Sequence, residues 1–356
     1  MRIAFLYNRS LDDPSHAAED DIPARSPVVA ALERLGHRVV PIACTLDLAK
    51  MRRRLIRMKP DVAFNRVESL GGSDSMMAAI TLLLDSMQIP YTGNSTAALI
   101  GTASKTVVKE RLVEAGWPTP RWITANGGTQ FVDDGVQTAE ENPPVNSQRR
   151  YIIKSDLEHA SFGLGDSSII GPCAEAHIRN SIREREKSTG RRHFAEEFID
   201  GREFNISIMG DPPHVLPPAE IDYTSFPAGQ PRIVGHGAKW DPLSFEYHNT
   251  PRQFNFSAGD LPLIRKLTSL TFASWNLFGL SGYARVDFRC DSQQRPWILE
   301  INTNPCISPD AGFAAALQQA GIGYDAGLQL ILEDAIRRGP IPILPPHRHP
   351  TTVHAS

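Results

Sequence analysis

Cysteine is scarce and scattered: four in 356 residues, Cys44, Cys173, Cys290 and Cys306, with no CxxC pair and no zinc-ligand spacing. That excludes a disulfide-stapled scaffold and a zinc ribbon, and it predicts reduced thiols in a cytoplasmic protein. No uninterrupted apolar run is long enough to cross a bilayer, and the opening MRIAFLYNRS reads as a strand rather than a signal peptide. An excess of either charge is missing too. The net charge of -3 gives no reason to expect nucleic acid or an anionic membrane as partner. Basic runs such as Arg52-Arg53-Arg54 and Arg191-Arg192 are read as solvated faces, and there is no internal repeat. What remains is 41% hydrophobic and 22% charged, the balance of a soluble globular protein, at a length that predicts two or three domains.

The first 95 residues alternate. Residues 2–7 read as a buried strand, and Ser26 to Leu35 as a helix stopped at Gly36. A strand over Arg38–Ile42, a helix over Leu48–Met58 and a strand over Asp61–Asn65 follow, then a helix over Met76–Met87 and a short strand Ile89–Tyr91. This β-α-β-α-β order predicts an open, mostly parallel α/β sheet, with ligands beyond the carboxyl ends of its strands. Asn8 and Asn65 to Ser73 would lie on that edge.

A second unit, 96–193, starts with a helix over Lys105–Ala115 and a strand introduced by Pro118-Thr119-Pro120. Residues 125–150 read as a polar insertion. Tyr151-Ile152-Ile153-Lys154 is a strand feeding the small-residue loop Ala160–Gly165, and a lysine beside exposed backbone N–H groups suits phosphate. A third unit spans 194–338, and the tail 339–356, with five prolines and three histidines, reads as a plain tail. The overall class is therefore α/β followed by α+β.

The most informative pattern lies in the third unit. Arg285-Val286-Asp287 and Glu300-Ile301-Asn302 flank the turn Asp291-Ser292-Gln293-Gln294. Residues two apart in a strand share a face, so Arg285, Asp287, Glu300 and Asn302 would form one oxygen-rich patch on a largely apolar hairpin. Burying those groups without a cation is costly, and hard oxygen ligands suit a Mg²⁺ shared with phosphates. The alternative is an ordinary hairpin with a structural salt bridge. Lys105 and Lys109 share a helical face, Glu196 to Glu203 places carboxylates around a turn, and Gly237-Ala238-Lys239-Trp240 reads as a loop able to close over a site.

In this order, Ile89-Pro90-Tyr91-Thr92-Gly93, Ser104-Lys105, Lys109, Gly116-Trp117-Pro118-Thr119-Pro120, Glu196 to Phe204, Arg285-Val286-Asp287 and Glu300-Ile301-Asn302-Thr303-Asn304-Pro305 resemble the ATP-grasp superfamily, and within it the D-alanine–D-alanine ligases. The resemblance extends to about residue 338 and implies an ATP-grasp fold. It implies ATP phosphates on Lys105, Lys154 and the N–H groups of Ser161, Phe162 and Gly163. Adenine would meet Glu196, Glu197, Phe198 and Ile199, and the ribose Glu203. Mg²⁺, or Mn²⁺, would be held by Asp287, Glu300 and Asn302. Lys239 would reach the γ-phosphate, and Arg285 would stabilise the transferring phosphoryl group.

The departures from the family fall on the amino-acid pockets. Ala160 stands where the family has a serine, Trp240 follows Lys239 where it has tyrosine, and Cys306 replaces an oxyanion-hole glycine. Asp310-Ala311 replaces the pair that receives the second substrate's carboxylate, and an aspartate there would attract an amine. Glu19 is the candidate first-domain glutamate, with Asp20 or Asp21 as alternatives; Glu68 is either a substrate contact or a buried structural group. The implied activity is an ATP-dependent carboxylate–amine ligation through an acyl phosphate, with amino acid, peptide or amine substrates and possible homodimerisation. The rival readings are a non-catalytic ATP-binding regulatory protein and an ATP-grasp kinase that stops at phosphorylation.

Overall fold

The structure is a computed structural model that describes residues 1–8, 26–127, 129–130, 149–158, 163–241 and 243–340. Strand β1 (Arg2–Asn8) lies between β2 (Arg38–Cys44) and β3 (Val62–Arg66), all parallel. Ile3, Ala4, Phe5 and Leu6 are consecutive and buried, as a strand covered on both faces requires. Helix α1 (Pro27–Arg34) starts with proline in its first turn, where the missing N–H is harmless. In α2 (Leu48–Met58) the Asp47 side chain caps the Lys50 N–H at 2.8 Å.

The helix expected over Met76–Met87 forms as α3 (Ala78–Ser86), preceded by a 3₁₀ turn, Asp74–Met76. Ile89–Tyr91 makes only a single parallel bridge, Ala63 to Tyr91, instead of a ladder. Pro90 has no N–H to donate, and the Asn65 N–H is taken by the Thr92 hydroxyl at 2.9 Å.

The next unit contains α4 (Thr96–Thr102), α5 (Lys105–Glu114), β4 (Trp122–Thr124), β5 (Thr129–Gln130), β6 (Tyr151–Ser155), β7 (Ile169–Ile170), α6 (Glu175–Thr189) and β8 (His193–Glu197). Its antiparallel sheet runs β5-β4-β8-β6-β7. Most of the 125–150 insertion lies outside the described residues.

A second antiparallel sheet follows: β9 (Arg202–Met209), β10 (His214–Val215), β11 (Ala219–Ile221), β12 (Arg252–Gln253), β13 (Tyr283–Cys290) and β14 (Pro296–Asn302). The order is β12-β11-β9-β13-β14, with β10 on β9. The expected loop from Gly237 is instead the short helix α7 (His236–Trp240), followed by α8 (Phe245–His248). Five residues carry no readable period; Ser244 holds the turn, its hydroxyl donating to the Gly237 carbonyl at 3.1 Å. Helix α9 (Leu261–Leu277) covers the sheet, burying Leu263 and Leu267 with Phe204, Ile206, Val286, Phe288 and Ile301. Each such side chain contributes about 1.5–3 kcal/mol.

Helices α10 (Gly312–Gln319) and α11 (Tyr324–Arg338) return to the first sheet, where Leu328, Ile331 and Leu332 pack with Val28, Leu32 and Phe5. Asn94 ties the units together: its Nδ2 donates to the Tyr283 and Thr303 carbonyls, both at 2.7 Å, and its Oδ1 accepts from the Ser281 N–H at 2.9 Å. One buried amide thereby fixes both ends of the β13–β14 hairpin against the amino-terminal half.

Candidate active site

The two antiparallel sheets face each other across a cleft of about 930 Å³, counting its open mouth, which is nucleotide-sized. One wall is Lys154 of β6 and Glu196 and Glu197 of β8; Lys105, at the start of α5, closes one side. The opposite wall is Glu203 and Asn205 of β9, Arg285, Asp287 and Arg289 of β13, and Leu299 and Glu300 of β14. Phe198 and Ile199 form the connection between the sheets, and Lys239 enters from α7.

The electrostatics are built from buried pairs. Glu196, 1% exposed, lies between Lys154 and Lys109, whose Nζ is 2.8 Å from its Oε2. Lys109 also donates to the Thr119 hydroxyl at 2.8 Å and the Pro120 carbonyl at 3.1 Å. Burial pushes the Lys109 ammonium down to about 8, against the pull of Glu196. The Glu196 carboxyl is held below its usual range: burial opposes this, and the charges of Lys109 and Lys154 outweigh it. Lys239 is lowered by burial and then by the Arg285 charge, while Glu300, Asp287 and Glu203 oppose the shift.

The hairpin pairs Arg285 with Asn302 and Asp287 with Glu300, with a bulge beyond Asp287. Arg285 holds both oxygens of Asp287, at 2.6 and 2.8 Å, and Glu300 lies 3.6 Å from the Lys105 ammonium. Asp287 and Glu300 thus share one cleft with Lys105 and Lys154. Asn302 does not line it; its Oδ1 accepts from the Asn304 N–H at 3.0 Å. Among the described residues no group of three or more His, Cys, Asp and Glu could hold a metal by itself. The two carboxylates, Asp287 and Glu300, fit a hard dication that takes its remaining ligands from phosphate and water.

Other expected residues fall elsewhere. Glu68, at the end of the first sheet, is 3.3 Å from Arg66, which reaches the Pro305 carbonyl at 3.4 Å and Cys306 Sγ at 3.9 Å. Asn8 braces that end, donating to Ser69 and accepting from the Glu68 N–H, each at 2.7 Å. Asp310 is exposed and Ala311 is the residue before α10; neither lines the cleft. Arg252 donates to the Asp310 carbonyl at 3.2 Å, setting a cation against the turn from which an amine-attracting charge was expected. Burial and the Arg285 charge lower the Arg252 guanidinium. Glu19, Ser161, Phe162 and the Trp240 side chain lie outside the described residues, while Gly163 is described, with φ +62°.

Sequence reading missed three groups. Asp156 accepts from Ser104 Oγ at 3.0 Å and from the Thr106 N–H at 2.9 Å, anchoring the start of α5 and with it Lys105. Asn205 donates to Asp287 at 3.0 Å. Arg289 was detectable by extending the two-residue step from Arg285 and Asp287 along β13.

Two antiparallel β units closing on a cleft with lysines on one wall and an acidic hairpin on the other make the ATP-grasp fold. Residues 152–333 match the family described as D-ala D-ala ligase C-terminus, and the chain belongs to the D-alanine–D-alanine ligase family. It is 27% identical over 348 residues to a D-alanine–D-alanine ligase of Moorella thermoacetica, spanning 94% of this chain and 99% of that protein. An uncharacterised protein of Sinorhizobium fredii is 27% identical over 319 residues, 87% of each chain. The fold matches the ATP complex of the D-alanine–D-alanine ligase from Bacillus anthracis with a TM-score of 0.67 at 20% identity, covering 95% of this chain and 98% of that one. No described helix is long and apolar enough to cross a membrane.

Proposed function

We propose that the protein joins a carboxylate to an amine at the expense of ATP, through an acyl phosphate. The observation that carries this is the convergence of Lys105, Lys154, Lys239 and Arg285 with Asp287 and Glu300 around one cleft. Lys105 and Lys154 bind the phosphates as point charges, and main-chain groups of Glu197 to Ile199 meet adenine. Glu203 takes the ribose hydroxyls. Asp287 and Glu300, with Asn302 adjacent, hold Mg²⁺, which when bound neutralises charge on the phosphate oxygens. The substrate carboxylate attacks the γ-phosphorus, ADP leaves, and the amine attacks the acyl carbon to expel phosphate. Arg285 and Lys239 face the charge that develops on the transferring group. Closure of the α7 segment excludes water that would hydrolyse the acyl phosphate.

The turn beside Cys306 is one of the places where this chain departs from the family pattern. Arg66 and Arg252 stand against the Pro305–Asp310 turn, so the acceptor carries a carboxylate as well as its amine. The test is a screen of amino acids, peptides and amines for ADP formation, with product mass read directly. ADP release that needs both an acid and an amine, with an amide product, is expected; with Ala160 and Cys306 where the family has serine and glycine, D-alanine alone is expected to give weak release. Phosphoryl transfer without amine would mean a kinase, and no turnover with any pair a regulatory ATP-binding protein.

A further inference from the structure

Arg289 lies on the cleft face of β13, two residues beyond Asp287, while its neighbours Phe288 and Cys290 point into the core beneath α9. The strand register sets it directly across from Glu203 on β9. Its guanidinium is 2.8 Å from Glu203 Oε2, and Nη1 donates to the Gly201 carbonyl at 3.1 Å. Its other Nη donates to the Arg232 carbonyl. The rings of Phe198 and Tyr223 flank it at 5.7 and 5.6 Å. The Tyr223 hydroxyl donates to the same Glu203 oxygen at 2.7 Å. Arg289 and Glu203 are only 4% and 8% exposed.

We propose that Arg289 is a positioning and specificity residue for the nucleotide. Together with Tyr223 it fixes Glu203 by one oxygen, leaving Oε1 as the atom neither donor holds, turned to accept from a ribose hydroxyl. A buried carboxylate needs its oxygens paired, and here one is held by Arg289 and Tyr223 while the other is left to accept from a ribose hydroxyl. The same guanidinium also grips Gly201 and stacks near Phe198, so a single side chain sets the ribose acceptor and the linker that meets adenine. An arginine does this where a lysine does not, because its planar fork satisfies three acceptors in fixed directions.

This inference rests on the assignment of Glu203 to the ribose, and its test separates the two. The full-length enzyme is assayed with ATP, 2′-deoxyATP and 3′-deoxyATP for wild type, Glu203→Gln, Arg289→Met and Arg289→Lys. Expected for wild type is a clear preference for ATP over at least one deoxy analogue. Arg289→Met should raise KM for ATP about 10- to 100-fold, the scale of one buried charge-assisted hydrogen bond, with a smaller change in kcat. It should also collapse the preference for ATP, with Arg289→Lys between it and wild type. If Glu203→Gln loses the preference but both Arg289 variants keep it, the positioning role is wrong and the ribose assignment stands. If Glu203→Gln keeps it, the ribose assignment fails and the inference with it. Should Arg289→Met not fold, Arg289→Lys decides: wild-type KM and preference in that variant overturn the proposal.

Discussion

Arg285 occupies both carboxylate oxygens of Asp287, Nε to Oδ1 at 2.6 Å and Nη2 to Oδ2 at 2.8 Å. A metal on Asp287 would have to use the lone pairs that Arg285 leaves and bind beside its guanidinium charge. That repulsion would hold metal affinity down, on the scale of the about 1.5–3 kcal/mol that a hydrogen bond between charged groups contributes. Arg285→Met is expected to tighten Mn²⁺ binding to the nucleotide-free protein about tenfold, while reducing ligation by roughly 10²–10³-fold. Paramagnetic resonance of unbound Mn²⁺ reads the first effect. Unchanged Mn²⁺ affinity would show that the pair does not gate the metal.

Asp287 and Glu300 are opposite each other in the hairpin and line the same cleft. Asp287→Asn and Glu300→Gln keep the shape and remove the charge that a hard dication needs. Each should lower ATP turnover by about 10²–10³-fold in a protein that still folds, with the lower thermal midpoint in Asp287→Asn, which also loses the Arg285 ion pair. Near-normal turnover in both would remove the pair from metal binding.

Much of this architecture is legible in the sequence, for identifiable reasons. Ile3 to Leu6 form a continuous apolar run, and Leu48–Met58 has a capping aspartate before it, so local signals coincide with the elements formed. Arg285, Asp287 and Glu300 obey a two-residue period that long-range packing preserves. The pairing of Lys109 with Glu196 was not legible, because the two are far apart in the sequence and meet only in the folded chain. Helix α7 has too few residues to show a period, and Asn302 turns its amide to its own loop through a hydrogen bond that alternation does not encode. At Asp310 the local charge was visible, but Arg252, brought in by the edge strand β12, was not.

Gly201 links the two sheets directly beside the nucleotide wall. Its φ is +157°, and a Cβ there would sit 2.0 Å from the Cys290 carbonyl oxygen. Backbone cannot yield as a side-chain tip can, so Gly201→Ala should destabilise by roughly 3 kcal/mol, the upper part of the overpacking range. Because the linker would be pushed off the end of β13, beside Phe198 and Ile199, KM for ATP should rise as well. Urea unfolding with parallel nucleotide titration checks both. A stable variant with unaltered KM would mean that the linker accommodates the methyl group.

Lys109 offers a pH signature that no exposed lysine would give. Burial lowers its ammonium from an ordinary 10.5 to about 8, with Glu196 pulling the other way. Between those values the unfolded chain binds the proton more tightly than the folded one, so the stability term rises with pH across that window. Below about pH 8 the group is charged in both states, and its contribution is constant and unfavourable. The change across the window is of order 3 kcal/mol. Lys109→Met removes the titrating group, so the stability of wild type relative to this variant should climb from pH 8 towards 10.5 and be flat below. Urea unfolding at half-unit pH steps measures the difference, in which other alkaline titrations cancel. Parallel curves for the two proteins over the whole range would mean that the ammonium reaches water and that the buried Lys109–Glu196 pair does not persist in solution.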